Sequence, residues 1–472
     1  MQKELAGQIV GESDGALLKV SIEKLVYGGD GLARISENEL YPEKAGAVLF
    51  VPFSAPGDVL GVTPNFLKKP FKASISNIET ASSDRITPEC TVFGQCGGCD
   101  WQHLSLPSQR DWKRAIVAET LKRLGKLDTF AAEIVEPLLS KNEWRYRNKV
   151  QWQVLASGEL AYLAEESHQT VAFGECLIIQ PVLQSVAEIL RQPEMSALLV
   201  AGKINKVTAR NNQADHILLI FHTDLSEPDY PDCQALVSAF EKKAITLKGL
   251  MLEFSQNLHC LYGDDYLIET LLEKQYRVSA QSFFQVNPQA AELMLETLRQ
   301  WLEIDPKAGV KRAQLLDVYG GVGTFAIELS EGFEEVMLVE SSPTAVADAQ
   351  KNFTAAGLEA AQIIEGKIEL ALASEDHVLK DLTPAVTLLD PPRRGSHPKV
   401  LEWVAANTSE AIVYISCDPT TLARDLKQLS SLGWTIQKIQ PIDMFPQTYH
   451  IETLVMLGKT VIPAKAGISP VA

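Results

Sequence analysis

The stretch QLLDVYGGVGTFA, residues 314–326, decides the fold of the C-terminal half of the chain. Its first six residues are typical of a buried strand that ends at Tyr319. The glycine-rich part that follows fits the pattern G-x-G-x-x-A through Gly321, Gly323 and Ala326, and it leads directly into a helical segment. A strand, a glycine loop and a helix in this order predict the first unit of a doubly wound α/β sheet.

The sequence around this unit alternates between strand and helix patterns from about residue 276. Further strands are predicted at VMLVE, VTLLD, AIVYIS and TLVML. Asn287-Pro288 predicts a helix start with Asn287 as the N-cap, because Ala291, Leu295, Leu298 and Leu302 then form one apolar stripe. We therefore expect a parallel Rossmann-like sheet over residues 276–460, followed by an unstructured tail at 461–472.

The front of the chain has a different pattern. Residues 15–65 alternate between apolar and polar positions and contain the turns YGGDG and APGD, which predicts a small β-barrel of the OB type within residues 1–80. Nothing in this segment suggests chemistry, so the barrel is either a folding or docking module or a nucleic-acid-binding domain.

Charge and cysteine usage limit the class of protein. The net charge is -17, but residues 1–150 carry as many basic as acidic residues, and any contact with a polyanion is expected there. The chain has no run of 18 apolar residues and no signal-peptide pattern, so we expect a soluble cytoplasmic protein that does not enter a membrane. Three of its seven cysteines fall within ten residues, which indicates metal or redox chemistry rather than disulfides.

The middle of the chain, residues 81–275, is predicted to be a mixed α+β domain. Its stretch WRYRNKVQW, residues 144–152, places Arg145, Arg147 and Lys149 on one face of an expected strand. Such alternation is typical of a half-buried strand, and a basic face beside aromatic residues would also suit RNA backbone contacts.

Several chemically useful residues follow predicted parallel strands directly. Glu340 closes the strand after the glycine loop, where an acidic side chain can bind both ribose hydroxyls of an adenosine, as nicotinamide enzymes also do. Asp390 in VTLLDPPRRG occupies the position of the acid or amide that precedes Pro-Pro in S-adenosylmethionine-dependent methyltransferases. Gln285 in FFQVNP is a candidate polar lid. Cys417 in SCDPTTL ends another strand, although a lone cysteine there is usually a small buried core residue.

Taken together, these motifs resemble the RNA uracil-C5 methyltransferases. Within them the chain is most similar to the iron-sulfur 23S rRNA (uracil-5-)-methyltransferases of the RlmD type, which carry an N-terminal TRAM barrel. The resemblance rests on CTVFGQCGGC, YRNKV, FFQVN, DVYGGVGTF, VE, LLDPPR, SCDPTTLARDL and DMFPQTYHIE, and it covers nearly the whole chain except the tail. It implies methylation of uracil C5 in 23S rRNA with S-adenosylmethionine, by a monomer that needs no protein partner.

The resemblance also implies roles for individual residues. Cys417 would be the nucleophile that adds to C6 of uracil, because C5 alone is too weak a nucleophile to attack a sulfonium methyl group. Glu452 in HIET would then be the base that removes the C5 proton. The implied cofactor contacts are Gln285, Tyr319, Thr324, Glu340 and Asp390. Relatives often have Asn at the position of Thr324, so this sequence departs from the family pattern there.

The clustered cysteines read C-x5-C-x2-C through Cys90, Cys96 and Cys99, with Cys176 in FGEC as the distant fourth. Four thiolates suit either zinc or a [4Fe-4S] cluster, and the spacing does not choose between them. The resemblance favours the iron-sulfur cluster. Cys233 and Cys260 match no family position and are expected to be ordinary core residues.

Three other functions fit parts of the sequence. The chain could act on uracil C5 in tRNA. It could methylate an exocyclic amine, since DPPR loosely resembles the Asp-Pro-Pro-aromatic loops of such enzymes, but that chemistry requires neither Cys417 nor Glu452. It could also be a non-catalytic iron-sulfur protein that binds RNA, a reading that the intact Cys417, Glu452 and Asp390 disfavour.

Overall fold

The computed structural model describes residues 17–459 apart from 128–132, 135–141, 166, 227–232, 256, 306, 308 and 374–378. The predicted tail at 461–472 lies outside the described residues. Within them, no helix is long and apolar enough to cross a membrane.

The N-terminal segment forms a closed five-stranded barrel with the order β1-β2-β3-β5-β4. Its strands are β1 (Leu18–Leu25), β2 (Gly31–Arg34), β3 (Val48–Val51), β4 (Val59–Asn65) and β5 (Lys72–Thr80), and a 3-10 turn covers Pro42–Lys44. Strand β1 buries Leu18, Val20 and Ile22 in the barrel core, as its alternating sequence predicts. The barrel expected from the sequence is therefore present.

A seven-stranded sheet of order β13-β12-β11-β10-β7-β8-β9 occupies the middle of the chain. Its strands are β7 (Lys149–Val154), β8 (Leu160–Leu163), β9 (Thr170–Ala172), β10 (Lys206–Asn211), β11 (Ile217–His222), β12 (Leu247–Phe254) and β13 (Asn257–Gly263). Helices α2 (Pro181–Leu190), α3 (Pro193–Ala201) and α4 (Cys233–Lys242) share a hydrophobic core with one face of this sheet. The hairpin β14 (Tyr266–Leu271) and β15 (Lys274–Ser279) follows, and apolar residues of β14 pack on the other face.

The C-terminal sheet has eight strands in the order β18-β17-β16-β19-β20-β22-β21-β6. They are β16 (Arg312–Val318), β17 (Phe333–Glu340), β18 (Gln362–Glu365), β19 (Val386–Leu389), β20 (Ala411–Ser416), β21 (Trp434–Ile442), β22 (Glu452–Lys459) and, from earlier in the chain, β6 (Glu133–Ile134). The strand order reverses between β16 and β19, which is the topological switch point where ligands bind in such sheets.

Helices cover both faces of this sheet. One face carries α1 (Leu106–Gly125), α8 (Ile368–Ala371), α9 (Pro398–Asn407) and α10 (Pro419–Ser431), and the other carries α5 (Pro288–Trp301), α6 (Thr324–Leu329) and α7 (Pro343–Ala355). A 3-10 turn covers Ser330–Gly332. The predicted helix start is confirmed, because the Asn287 side chain accepts a hydrogen bond from the Ala290 N–H and the predicted apolar stripe is buried.

One strand runs against the prediction of a wholly parallel sheet. The segment TLVML lies in β22, which pairs antiparallel with both β20 and β21. Parallel neighbours require a crossover connection, usually a helix, but residues 443–451 turn back without one. The reversal places Glu452, the first residue of β22, at the same sheet edge as the carboxyl ends of the parallel strands.

Candidate active site

The glycine loop after β16 is shaped for close approach of a ligand. Gly321 and Gly323 have φ angles of 56° and 89°, and Tyr319 also adopts the left-handed region at 66°. That conformation is unfavourable for a tyrosine and is found mainly where surrounding structure enforces it. The fully buried Asp317 fixes the loop from below, because its Oδ2 accepts a hydrogen bond from the Ala326 N–H at 3.1 Å.

Four of the residues predicted to contact the cofactor surround this loop, and we call them the cofactor half: Gln285, Tyr319, Thr324 and Glu340. Gln285, Tyr319 and Thr324 line one small cavity together with Asp390. Glu340 lies beside the loop, where its Oε2 accepts from the Gly321 N–H at 3.0 Å. Its Oε1 accepts from the N–H groups of Ser341 and Ser342 at 2.6 and 2.7 Å. The carboxylate is thus held by three backbone donors, in reach of the loop.

The second part of the edge, which we call the thiol half, consists of Cys417, Glu452 and Arg393. Ser416 pairs with Thr453 in register, so Cys417, which follows Ser416, and Glu452, which precedes Thr453, meet at the end of the β20–β22 ladder. Arg393 follows Asp390 in DPPRRG and was missed by the sequence reasoning, although it stands in a quoted motif. The structure therefore brings together the proposed nucleophile and base.

The electrostatics of the thiol half differ from those of ordinary surface groups. Burial, and after it the Glu452 carboxylate, raise the pKa of Cys417 to about 12, and Arg393 opposes this rise. Burial also raises the pKa of Glu452 well above its usual value, with a smaller contribution from Asp390. Asp390 has its own pKa raised to about 7 by burial. These are the shifts expected where charged groups crowd at a desolvated site.

All four predicted cluster cysteines, Cys90, Cys96, Cys99 and Cys176, line one cavity of about 580 Å³. Burial and, to a smaller degree, the neighbouring thiols raise the pKa of Cys96 to about 11. Among the described residues, no group of three or more His, Cys, Asp or Glu side chains is arranged to hold a metal ion. Gln285 lines both this cavity and the cofactor cavity, which are therefore neighbours.

Two sequence predictions about the central segment are wrong. Strand β7 begins only at Lys149, and Arg145 lies before it with a φ of 58° and an ion pair to Glu175, so Arg145, Arg147 and Lys149 do not share one strand face. Hydrogen bonds from the Arg145 N–H to Leu177 O and from the Arg147 N–H to Ile178 O replace a strand ladder there. Cys260 is exposed on β13 rather than buried, whereas Cys233 packs against the central core as expected.

Comparisons with known proteins agree with this geometry. Residues 170–460 match the family model described as tRNA (uracil-5-)-methyltransferase. An uncharacterized RNA methyltransferase of Halalkalibacterium halodurans is 30% identical over 93% of this chain and 96% of its own length. One of Listeria monocytogenes is 31% identical over 93% of this chain and 97% of its own.

Among solved structures, the tRNA (uracil-54, C5)-methyltransferase of Pyrococcus abyssi, in complex with S-adenosyl-L-homocysteine, has the same fold. It superposes with a TM-score of 0.69 at 24% identity, covering 93% of this chain and all of its own. The chain belongs to the tRNA (uracil-5-)-methyltransferase family and is an S-adenosylmethionine-dependent RNA methyltransferase of uracil C5.

Proposed function

We propose that this enzyme methylates C5 of a uridine in 23S rRNA through a covalent adduct between Cys417 and the base. The observation that carries the proposal is the meeting of Cys417 and Glu452 beside Asp390 at the switch-point edge. Methylation of an exocyclic amine requires no thiol, so this pairing favours attack at carbon over attack at nitrogen.

The proposed chemistry proceeds in two stages. The Cys417 sulfur adds to C6 of uracil, and the electron pair of the C5–C6 double bond then makes C5 nucleophilic. C5 takes the methyl group from the sulfonium, which leaves as the neutral thioether S-adenosylhomocysteine. Glu452 removes the C5 proton, the double bond re-forms and the thiolate leaves. Each cycle consumes one S-adenosylmethionine and releases one proton.

The raised pKa of Glu452 suits its role as the final base. A carboxylate whose pKa is raised by burial accepts a proton more readily than an ordinary surface glutamate does. Arg393 opposes this rise and also favours the thiolate of Cys417, so its positive charge helps both partners to ionise. We propose that Arg393 stabilises the negative charge that develops on the uracil ring after the thiolate adds to C6.

The cysteine cavity is proposed to hold a structural [4Fe-4S] cluster. In such a cluster each thiolate binds a different iron, so its ligands stand farther apart than those of a single ion. The four cysteines border one cavity, which fits that requirement. The loop that carries Cys90, Cys96 and Cys99 also supports the segment before β22, because the N–H groups of Asp100 and Trp101, which follow it, donate to the Gln447 carbonyl at 3.1 and 3.0 Å. The cluster would thereby hold the segment that leads to Glu452.

The iron content of protein prepared without air tests this assignment. We expect about four irons per chain and a brown colour. Cys96→Ser should lose both, whereas Cys260→Ser should keep both, because Cys260 lies on an exposed strand outside the cavity. One zinc per chain with no iron would contradict the cluster.

The barrel offers a surface for RNA at the hairpin between β4 and β5. Leu67 is 94% exposed, and the neighbouring lysines Lys68 and Lys69 are also exposed. Lys69 lies over the Phe71 ring, 5.6 Å from its centroid. Aromatic rings beside lysines suit single-stranded RNA, whose bases stack while its phosphates attract cations. Reversing Lys68 and Lys69 to Glu should weaken RNA binding and reduce its salt dependence, with S-adenosylmethionine affinity unchanged.

The choice of 23S rRNA over tRNA needs its own test, because the matched family model and the Pyrococcus protein are both named for tRNA. The decisive experiment maps 5-methyluridine in rRNA and tRNA from cells with and without the gene. If cells without the gene lose 5-methyluridine from 23S rRNA alone, the proposal is supported. If they lose it from tRNA alone, the enzyme acts on uracil C5 in tRNA instead. Methyl groups on nitrogen would contradict the C5 chemistry itself.

A further inference from the structure

The turn YGGDG between barrel strands β1 and β2 lies against the loop that carries Cys417. The Tyr27 hydroxyl donates a hydrogen bond to the Cys417 carbonyl oxygen at 3.2 Å, across 390 positions of sequence. The Tyr27 ring also meets Tyr449 edge-on, with centroids 5.5 Å apart and planes at 87°. Tyr449 lies three residues before Glu452. One barrel side chain therefore touches both segments that carry the proposed nucleophile and base.

The turn is held firmly in this place. The carbonyl of Gly29 accepts a hydrogen bond from the indole N–H of Trp101 at 3.0 Å, and Trp101 is fully buried. Gly29 has a φ of +93°, and a Cβ atom there would lie 3.1 Å from the Tyr449 ring. The backbone conformation thus favours glycine, and a side chain at this position would also crowd the Tyr449 ring. The contact is a packed interface and not a chance approach of two surface loops.

The barrel as a whole is joined to the catalytic sheet. Leu25 and Ala55 of the barrel belong to the same hydrophobic cluster as Leu422 of α10 and Ile451. Lys24 of β1 forms an ion pair with Glu119 of α1. Helix α1 in turn packs against α10, the helix that begins just after Cys417. Displacement of the barrel would therefore be transmitted to the Cys417 loop.

We propose that Tyr27 is a positioning residue of the methyl-transfer site, so that the barrel takes part in the chemistry as well as in holding RNA. The inference rests on the proposed role of Cys417 as nucleophile. The Cys417 carbonyl lies between the end of β20 and the start of α10, and a hydrogen bond to it fixes the backbone from which the Cys417 side chain projects. Burial raises the pKa of Tyr27 far above its usual value, so the phenol remains a donor at neutral pH.

A purely RNA-stacking role for Tyr27 predicts a different pattern. Stacking depends on the ring, so Tyr27→Phe would preserve it and Tyr27→Ala would mainly weaken RNA affinity. Positioning depends on the hydroxyl, so Tyr27→Phe would slow methyl transfer even when RNA and S-adenosylmethionine are saturating. Two measurements therefore separate the roles. A positioning role changes the rate of methyl transfer at saturation, and a stacking role changes the dissociation constant for RNA.

The test compares Tyr27→Phe with the matched control Tyr262→Phe, whose tyrosine lies on β13 of the central sheet. We expect single-turnover methyl transfer at saturation to fall about 3- to 10-fold in Tyr27→Phe, the loss that one net hydrogen bond implies. RNA affinity should change less than twofold, and the control should match wild type in both. Gly29→Ala, which strains the turn and crowds Tyr449, should also slow methyl transfer.

A second measurement follows Cys417 itself. Mass spectrometry of the Cys417 peptide reports how fast iodoacetamide alkylates its thiol, without any need for RNA. A loosened loop exposes the thiol, so alkylation should become faster in Tyr27→Phe while methyl transfer becomes slower. Unchanged alkylation and unchanged transfer at saturation would overturn the inference. A separate experiment tests the proposed function itself: if Cys417→Ala still methylates uracil C5, Cys417 is not the nucleophile.

Discussion

The cofactor half and the thiol half of the sheet edge are built in opposite ways. In the cofactor half, Glu340 is half-buried and its two oxygens accept three backbone hydrogen bonds. In the thiol half, Glu452 is 6% exposed and raises the pKa of Cys417, while burial and Asp390 raise the pKa of Glu452 itself. A carboxylate held by backbone donors suits the proposed binding of the cofactor, whereas a crowded, desolvated carboxylate suits the proposed transfer of a proton.

The largest effect is expected from removal of the thiol. Cys417→Ala should reduce methylation on the order of 10³-fold or more, because the proposed adduct at C6 of uracil requires this thiol. The variant should still bind S-adenosylmethionine, since the cofactor half is intact. Cys260→Ala, which alters an exposed cysteine on β13, is the control and should retain activity. Substantial C5 methylation by Cys417→Ala would contradict the proposed role of Cys417 as the nucleophile.

The division between the halves also shows how much the sequence could predict. Apart from Gln285, the cofactor half is local: β16, the glycine loop and Glu340 lie within 29 residues of one another, and the pattern of strand, loop and helix predicts their positions. The helix start at Asn287 was predicted for the same reason, since its cap is formed three residues away. Local rules suffice where the partners are near in sequence.

The thiol half is assembled from distant segments, and there the sequence fell short. The antiparallel direction of β22 depends on the loop at 443–451, which is held by tertiary contacts such as the buried ion pair of Lys113 with Asp443 at 2.6 Å. The contact of Tyr27 with Cys417 had no local signal at all, because it exists only once the barrel packs on α1 and α10. The roles of Cys417 and Glu452 came from resemblance and stay predictions.

The second effect separates the two steps inside the thiol half. Glu452→Gln keeps the shape of the side chain but cannot accept the C5 proton, so turnover should fall about 10²- to 10⁴-fold. Addition and methyl transfer precede the proton removal, so a methylated protein–RNA adduct should accumulate and survive denaturing electrophoresis. Glu402→Gln, at an exposed position of α9, is the matched control and should form no lasting adduct. Absence of the adduct in Glu452→Gln would remove this residue from the role of base.

The third effect breaks the cofactor half and leaves the thiol half intact. Glu340→Ala removes a carboxylate that we propose binds the ribose hydroxyls, and hydrogen bonds to a charged group contribute about 1.5–3 kcal/mol each. We expect the affinity for S-adenosylmethionine to fall about 10- to 100-fold in calorimetry. The alkylation rate of Cys417 should stay at the wild-type value. Glu334→Ala, an exposed position in the same strand, should alter neither quantity; a change in alkylation in Glu340→Ala would show that the halves are coupled.

The smallest effect concerns Asp390, which lies between the halves and whose pKa is raised to about 7 by burial. S-adenosylmethionine carries a positive sulfonium and should bind best when Asp390 is ionised, whereas S-adenosylhomocysteine is neutral at sulfur. Because a carboxyl group with a raised pKa loses its proton only as the pH rises through that value, the affinity for S-adenosylmethionine should increase from pH 6 to pH 8. The ionised fraction grows about tenfold at most over this range, which limits the change in affinity to the same factor.

The affinity for S-adenosylhomocysteine should change much less with pH, and Asp390→Asn should remove the difference between the pH profiles of the two ligands. Equal pH profiles for both ligands in the wild type would place the charge of Asp390 away from the sulfonium, and would assign this residue to the thiol half alone.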